Sequence, residues 1–180
     1  MKEDLLKFIP EFNLIKDSDL KEKVLKVWEI ALKAGNWEAK DLQRMPFTLL
    51  IDPCPCTMVE HIRGVVNVSI EAAKALQSIY QDKIKINEDY LIAGALLHDI
   101  GKLVEYKEEN GRFIQSNWGK LVRHPISGVG LCYSQDIPEE VCILLPLIPG
   151  RGIVPKELQR QLLFTMLILS TLNNLNKFRY

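Results

Sequence analysis

Three histidines, His61, His98 and His124, stand in this chain, and the second is followed at once by an aspartate, Asp99. Imidazole nitrogens paired with a carboxylate oxygen are donors suited to divalent transition metals. Lys102 follows His98 by four residues, with Gly101 just before it. His98 and Asp99 are set in the stretch L-I-A-G-A-L-L-H-D-I-G-K-L-V-E-Y, Leu91–Tyr106, whose first half is apolar on every side. A run of that kind reads as a helix through the middle of a core. A charge left alone there costs several kcal/mol, so the pair needs a partner. A metal is one solution, and a core histidine salt-bridged to its own surroundings is the other. As an isolated dipeptide, His-Asp carries too little information to favour the metal.

The surrounding elements must bring the other two histidines to this stretch. Lys2–Phe8 predicts a short helix stopped by Pro10. Ser18 reads as the cap of a helix to about Ala34, in which Leu20, Val24, Val27, Trp28 and Ala31 recur at helical spacing and Gly35 marks the stop. Residues 36–55 are rich in breakers and predict short helices and loop, anchored by Trp37, Phe47 and Leu49–Ile51. Thr57 and Glu60 form a T-x-x-E capping box ahead of a helix to about Ile79, with His61 in its first turn. Asn87 caps the central helix, and Glu88 and Asp89 suit its positive end. K-E-E-N-G-R after Tyr106 reads as a polar turn, and Phe113–Gln115 as a brief extended piece. His124-Pro125 opens another helix. Ile137–Glu140 opens the next, which Pro146 and Pro149 end. Since no stretch longer than a few residues alternates with period two, the expected fold class is all-α.

Composition narrows the function classes. Lys+Arg and Asp+Glu both number 23, so no global charge attracts a nucleic-acid polymer or an anionic membrane. An anionic substrate must be drawn by a local site. The four cysteines, Cys54, Cys56, Cys132 and Cys142, are irregularly spaced. With no signal peptide they read as reduced thiols in a cytoplasm. P-C-P-C at residues 53–56 reads as a stiff turn, zinc pairs usually being more widely spaced. The longest apolar run, Leu162–Leu169, is too short to span a bilayer.

Taken together, the strings E-H-I-R-G-V-V (60–66), A-G-A-L-L-H-D-I-G-K (93–102) and R-H-P-I-S-G (123–128) resemble the HD-domain superfamily of metal-dependent phosphohydrolases, over roughly residues 57–147. The resemblance implies an HD-like bundle of α-helices with a mono- or dinuclear metal centre. By its motif His61, His98 and Asp99 match metal ligands, and His124 matches the additional histidine of dinuclear members. Lys102 matches the lysine of the H-D-x-G-K form, one helical turn beyond His98, where it meets a phosphate oxygen as a point charge. Asp99 and Lys102 are the expected catalytic residues, with Lys102 and Gly101 at the substrate; Gly101 lets substrate or a neighbouring backbone approach closely. Asp99 is the natural bridging ligand, having two oxygens to share. Arg63, two residues beyond His61, points elsewhere on helix geometry. The chemistry implied is hydrolysis of a small phosphoester, a nucleotide being the leading class, by water activated on a divalent metal. Manganese, iron, nickel, cobalt or zinc suits the nitrogen-rich ligands better than magnesium alone. The domain division expected is 1–56, N-terminal helices and loop packed on the core; 57–147, the metal-binding core; and 148–180, an atypical segment.

That last segment departs from the family pattern, which closes with an aspartate on a late helix. After residue 147 there is no histidine and no aspartate. Ile148–Gly152 can be encoded so that the frame one base earlier reads H-S-R-E-G. In the same frame Lys156–Leu172 can encode R-T-P-E-A-I-V-V-H-H-A-D-S-L-N-F, which resembles the missing ending. The expectation is therefore a frameshift near residue 147, an incomplete metal centre and weak or absent hydrolysis. A carboxylate from Asp41, Asp52 or Glu60 near His61, His98 and Asp99 would supply a substitute ligand. A non-catalytic HD-scaffold binding or signalling domain is the alternative function. A core in which His98 and Asp99 are only hydrogen-bonded is the third reading.

Overall fold

Helix α3 (Met58–Tyr80) and helix α4 (Glu88–Leu97) pack side by side and carry the first two histidines to a common place. The computed structural model describes residues 1–83 and 85–142. Helix α3 starts at the expected capping box: the Glu60 amide donates to Thr57 Oγ1, and the Thr57 amide donates to Glu60 Oε2 at 2.7 Å. Its buried residues Met58, Ile62, Val65, Val66, Ser69 and Ala73 recur every three or four positions and form one stripe. Asn87 caps α4 by accepting from the Tyr90 amide at 3.1 Å. In α4, every residue from Ile92 to Leu97 is buried, as its all-round apolar character requires.

Helix α2 (Ser18–Ala34) packs on α4, and α1 (Lys2–Phe8) packs on α2, the two being linked by the 3₁₀ turn Pro10–Leu14, which also meets α4. The cap of α2 is Asp17, one residue before the expected Ser18; its Oδ1 accepts from the amides of Asp19 and Leu20. Gly35 follows α2 as expected, but with φ of −85°, and the left-handed residue is Asn36 at φ 58°. Glycine is needed at 35 for another reason: a Cβ there would lie 1.9 Å from the Leu103 carbonyl oxygen.

The central helix differs from the expectation of one element to Tyr106. It stops at Leu97, and residues 98–101 form a tight turn before the short helix α5 (Lys102–Glu105). Two carbonyls at the end of α4 accept from side chains: Leu96 O from Trp28 Nε1 at 3.1 Å, and Ala95 O from His98 Nδ1 at 2.8 Å. Across the turn the amides of Ile100, Lys102 and Leu103 bond three residues back, in 3₁₀ fashion. Three-residue turns stack side chains at i and i+3. This brings Lys102 over Asp99, whereas the expectation placed it on the helix face of His98.

After α5 the chain makes an antiparallel hairpin of β1 (Tyr106–Glu109) and β2 (Arg112–Gln115), in the register Tyr106 with Gln115. Asn110 and Gly111 have φ of 52° and 73°, the pair of positive values that a two-residue hairpin turn demands. The hairpin extends the expected extended piece; Asn-Gly between the strands was its signal. Helices α6 (Asn117–Leu121), α7 (His124–Tyr133) and α8 (Glu139–Cys142) complete the described chain. The fold is all-α apart from this hairpin, and one buried apolar cluster runs from Leu5 to Cys142. Among the described residues no helix is long and apolar enough to cross a membrane. The proposed end of the last helix at Pro146 and Pro149, the apolar run Leu162–Leu169 and the whole frameshift expectation lie outside the described residues.

Candidate metal centre

His61 comes from the first turn of α3, His98 and Asp99 from the turn after α4, and His124 from the first position of α7. They meet. His61 Nε2 lies 3.1 Å from His98 Nε2, and the two nitrogens lie 3.1 and 3.2 Å from Asp99 Oδ2. His124 Nε2 faces the other oxygen of the same carboxylate, 3.4 Å from Asp99 Oδ1. All four side chains line a cavity of about 870 Å³.

Proton placement follows from the partners. Ala95 O can only accept, so His98 Nδ1 carries the proton and Nε2 presents a lone pair. Its lone pair is aimed at a carboxylate oxygen and at a second imidazole, three donor atoms in a triangle. Ligands about 2.1 Å from one ion lie about 3.0 Å apart at a right angle and about 3.4 Å apart at a tetrahedral angle. The triangle of 3.1, 3.1 and 3.2 Å falls between these, so His61, His98 and Asp99 fit one divalent ion.

Lys102 Nζ donates to Asp99 Oδ2 and to the Phe47 carbonyl, both at 2.6 Å. Burial by itself would raise the Asp99 pKa; the Lys102 ammonium bonded to it outweighs this and holds the carboxyl well below its usual range. For His61 burial dominates and lowers the pKa against the pull of Asp99, and the same holds for His124. Both rings therefore favour the neutral form that ligates metal. The Phe47 ring stacks on His61 with centroids 4.6 Å apart, and its carbonyl also accepts from Tyr106 OH at 3.4 Å.

Gly101 has a packing role: a Cβ there would lie 1.9 Å from the His124 carbonyl oxygen and 2.8 Å from the Gly128 amide nitrogen. Of the two approaches expected at Gly101, the structure shows that of a neighbouring backbone. Arg63 does point elsewhere, onto Glu11 at 2.8 Å. No substitute ligand comes from the three carboxylates considered. Asp41 is held by Arg44, Glu60 by Thr57, and Asp52 is exposed. Cys54 Sγ donates to Cys56 O within the P-C-P-C turn.

The residue missed by the sequence reading is Glu105. It is buried beside His124 and accepts from its backbone amide at 2.6 Å and its Nδ1 at 2.8 Å. Its other oxygen faces Gln115 Nε2 at 3.3 Å and Arg123 Nε at 3.2 Å. The available signal was the spacing Asp99, Lys102, Glu105, three residues each. Phe47 had no such signal, because its stacking on His61 joins distant parts of the chain.

Residues 58–161 match the family model described as HD domain, which is more than half of the chain. A stretch of 85 residues is 36% identical to the dihydroneopterin 2',3'-cyclic phosphate phosphodiesterase of Methanocaldococcus jannaschii. That alignment covers 47% of this chain and 33% of the relative, so the match spans about a third of the relative's length. No solved structure matches the chain.

Proposed function

The chain belongs to the HD-domain family, and we propose that it is a metal-dependent hydrolase of small phosphoesters. The observation that carries this reading is the triangle of His61 Nε2, His98 Nε2 and Asp99 Oδ2 on the wall of an open cavity, with a lysine ammonium on the same carboxylate. His61, His98 and Asp99 would hold one ion, and His124 together with Asp99 would hold a second. A divalent ion bound there supplies an activated water and charge stabilisation for the phosphoryl group. The nitrogen-rich donor set favours manganese, iron, cobalt, nickel or zinc over magnesium alone.

The chain's own groups do the rest. Lys102 has three N–H donors, of which two serve Asp99 and the Phe47 carbonyl, leaving one for a phosphoryl oxygen. Its charge balances the negative charge that grows on phosphate as the water oxygen bonds to phosphorus and the ester oxygen leaves. That ester oxygen takes up the proton given up by the attacking water and becomes a hydroxyl, which in a cyclic phosphate stays on the product. The substrate class follows the relative's name: a 2',3'-cyclic phosphate, in which one of two ester bonds is opened. Four free cysteines suit a reducing compartment, so the activity is read as cytoplasmic.

The test is a panel of 2',3'-cyclic and 3',5'-cyclic mononucleotides and simple phosphomonoesters, with the chain loaded with Mn²⁺. Hydrolysis of at least one ester, lost together with bound metal in Asp99→Asn, is the expected result. Metal retention without hydrolysis of any ester would instead assign a non-catalytic binding scaffold. A chain that neither binds metal nor hydrolyses an ester would refute the reading.

A further inference from the structure

Glu105 is a buried carboxylate on the cavity wall, and of the expected ligands it touches His124. Its side chain is buried, 3% exposed as a residue, at the end of α5. The backbone holds it in place, since its carbonyl accepts from the Ser116 amide at 2.8 Å. Gly119 of α6 leaves the space it fills: a Cβ at Gly119 would lie 2.8 Å from Glu105 Cγ and 2.3 Å from its carbonyl oxygen. So three elements, α5, α6 and the start of α7, agree on one position for this carboxylate.

Oε2 accepts from the His124 amide at 2.6 Å and from His124 Nδ1 at 2.8 Å. The first bond fixes where the residue begins its helix, and the second fixes the ring. Since an ionised carboxylate only accepts, Nδ1 must carry the proton, and the lone pair of the neutral ring is at Nε2. That lone pair meets Asp99 Oδ1 at 3.4 Å, with neither atom having a proton to offer the other. Two acceptors face each other at the separation of two ligands on one ion. A ligating histidine whose other nitrogen donates to a carboxylate is both oriented and made more basic.

We propose that Glu105 is the positioning residue of His124: it fixes the Nδ1–H tautomer and the ring orientation, so that Nε2 and Asp99 Oδ1 form the second cation position. This rests on the reading of His124 as a ligand. It goes further in assigning the second position to a buried glutamate outside the H…HD pattern, while the His61–His98–Asp99 position is independent of it. Oε1, facing Arg123 and Gln115, ties the same carboxylate to two further residues of the cavity wall.

The experiment uses the full chain. In chelator-treated protein with ¹⁵N-labelled histidine, the His124 ring is expected to show protonated Nδ1 and unprotonated Nε2. Glu105→Ala is expected to lose that preference. It should also weaken the second equivalent of Mn²⁺ by about 10- to 100-fold in a calorimetric titration, with the first equivalent unchanged. Glu105→Gln, whose amide oxygen still accepts from Nδ1, is expected to recover the tautomer and part of the affinity. A wild-type His124 ring protonated at Nε2 overturns the proposal, and this arm does not depend on any variant folding. So does a Glu105→Ala protein with wild-type tautomer and two unchanged Mn²⁺ equivalents. If the tautomer and both Mn²⁺ equivalents behave as expected but no phosphoester is hydrolysed, the hydrolase reading fails and this proposal stands.

Discussion

Lys102→Met separates the two jobs assigned to Lys102, charge balance within the fold and charge balance on substrate. Lys102 is 8% exposed, and its ammonium makes two bonds of 2.6 Å, to Asp99 Oδ2 and the Phe47 carbonyl. Methionine keeps an unbranched apolar stem one heavy atom shorter and offers neither bond. Asp99, 5% exposed, would keep its imidazole contacts and lose its cation, and the Phe47 carbonyl would keep only Tyr106 OH at 3.4 Å. Removing one member of a buried pair costs about 3–5 kcal/mol. That is a large part of the roughly 5–15 kcal/mol by which a domain is stable. At about 2–4 °C per kcal/mol for a chain of this size, the melting point in chelator should fall by about 6–20 °C.

Metal should reverse much of that loss. An ion held by His61, His98 and Asp99 supplies the missing positive charge, and in the variant it no longer meets the repulsion of Lys102. A ligand at 100 times its dissociation constant stabilises by about 2.7 kcal/mol. At one fixed Mn²⁺ concentration, the variant's increment should exceed the wild type's, because its affinity is higher. The assay is thermal unfolding of both proteins in chelator and in a Mn²⁺ series, beside hydrolysis rates. The expected pattern is an unstable variant rescued by metal yet poor in hydrolysis. Equal metal-induced shifts in the two proteins, or a variant as stable as wild type in chelator, would refute the reasoning.

Two other expectations rest on geometry and charge. Gly101→Ala puts a Cβ 1.9 Å from the His124 carbonyl, so backbone must move. A loss of about 1–3 kcal/mol in urea unfolding and a weakened second metal equivalent are expected, and an unaltered second equivalent would contradict the packing role. Burial lowers the pKa values of His61 and His124, so on acidification the unfolded chain takes up protons first, below about pH 6.5. Asp99, held below its usual range, adds stability that is present above about pH 4 and is lost below it. Urea midpoints measured in chelator should thus fall in two stages from pH 8 to pH 3; a rise between pH 7 and pH 5.5 would contradict the assigned shifts.

How much of this was legible depends on how local the cause was. The capping box at Thr57 and Glu60, the Asn87 cap and the all-round apolar α4 were readable because each is decided within a few residues. The Asn-Gly hairpin was equally local and was passed over as a turn. The break after Leu97 was not readable. It depends on Trp28 reaching the Leu96 carbonyl from 68 residues away, beside the local bond from His98 to Ala95 O.

The site divides in the same way. The resemblance of three short strings to the HD-domain motif was enough to single out His61, His98, Asp99, Lys102 and His124, whereas residue types alone left a salt-bridged core histidine equally open. Which oxygen of Asp99 faces which histidine, and that Lys102 sits on Asp99 and not along a helix from His98, came only with the fold. So did Glu105 as the partner of His124 and Gly101 as the contact for its backbone. The reason is physical: a side chain's type is written once in the chain, whereas a tautomer, a shared oxygen or a tolerated contact exists only when separate segments have been packed against one another.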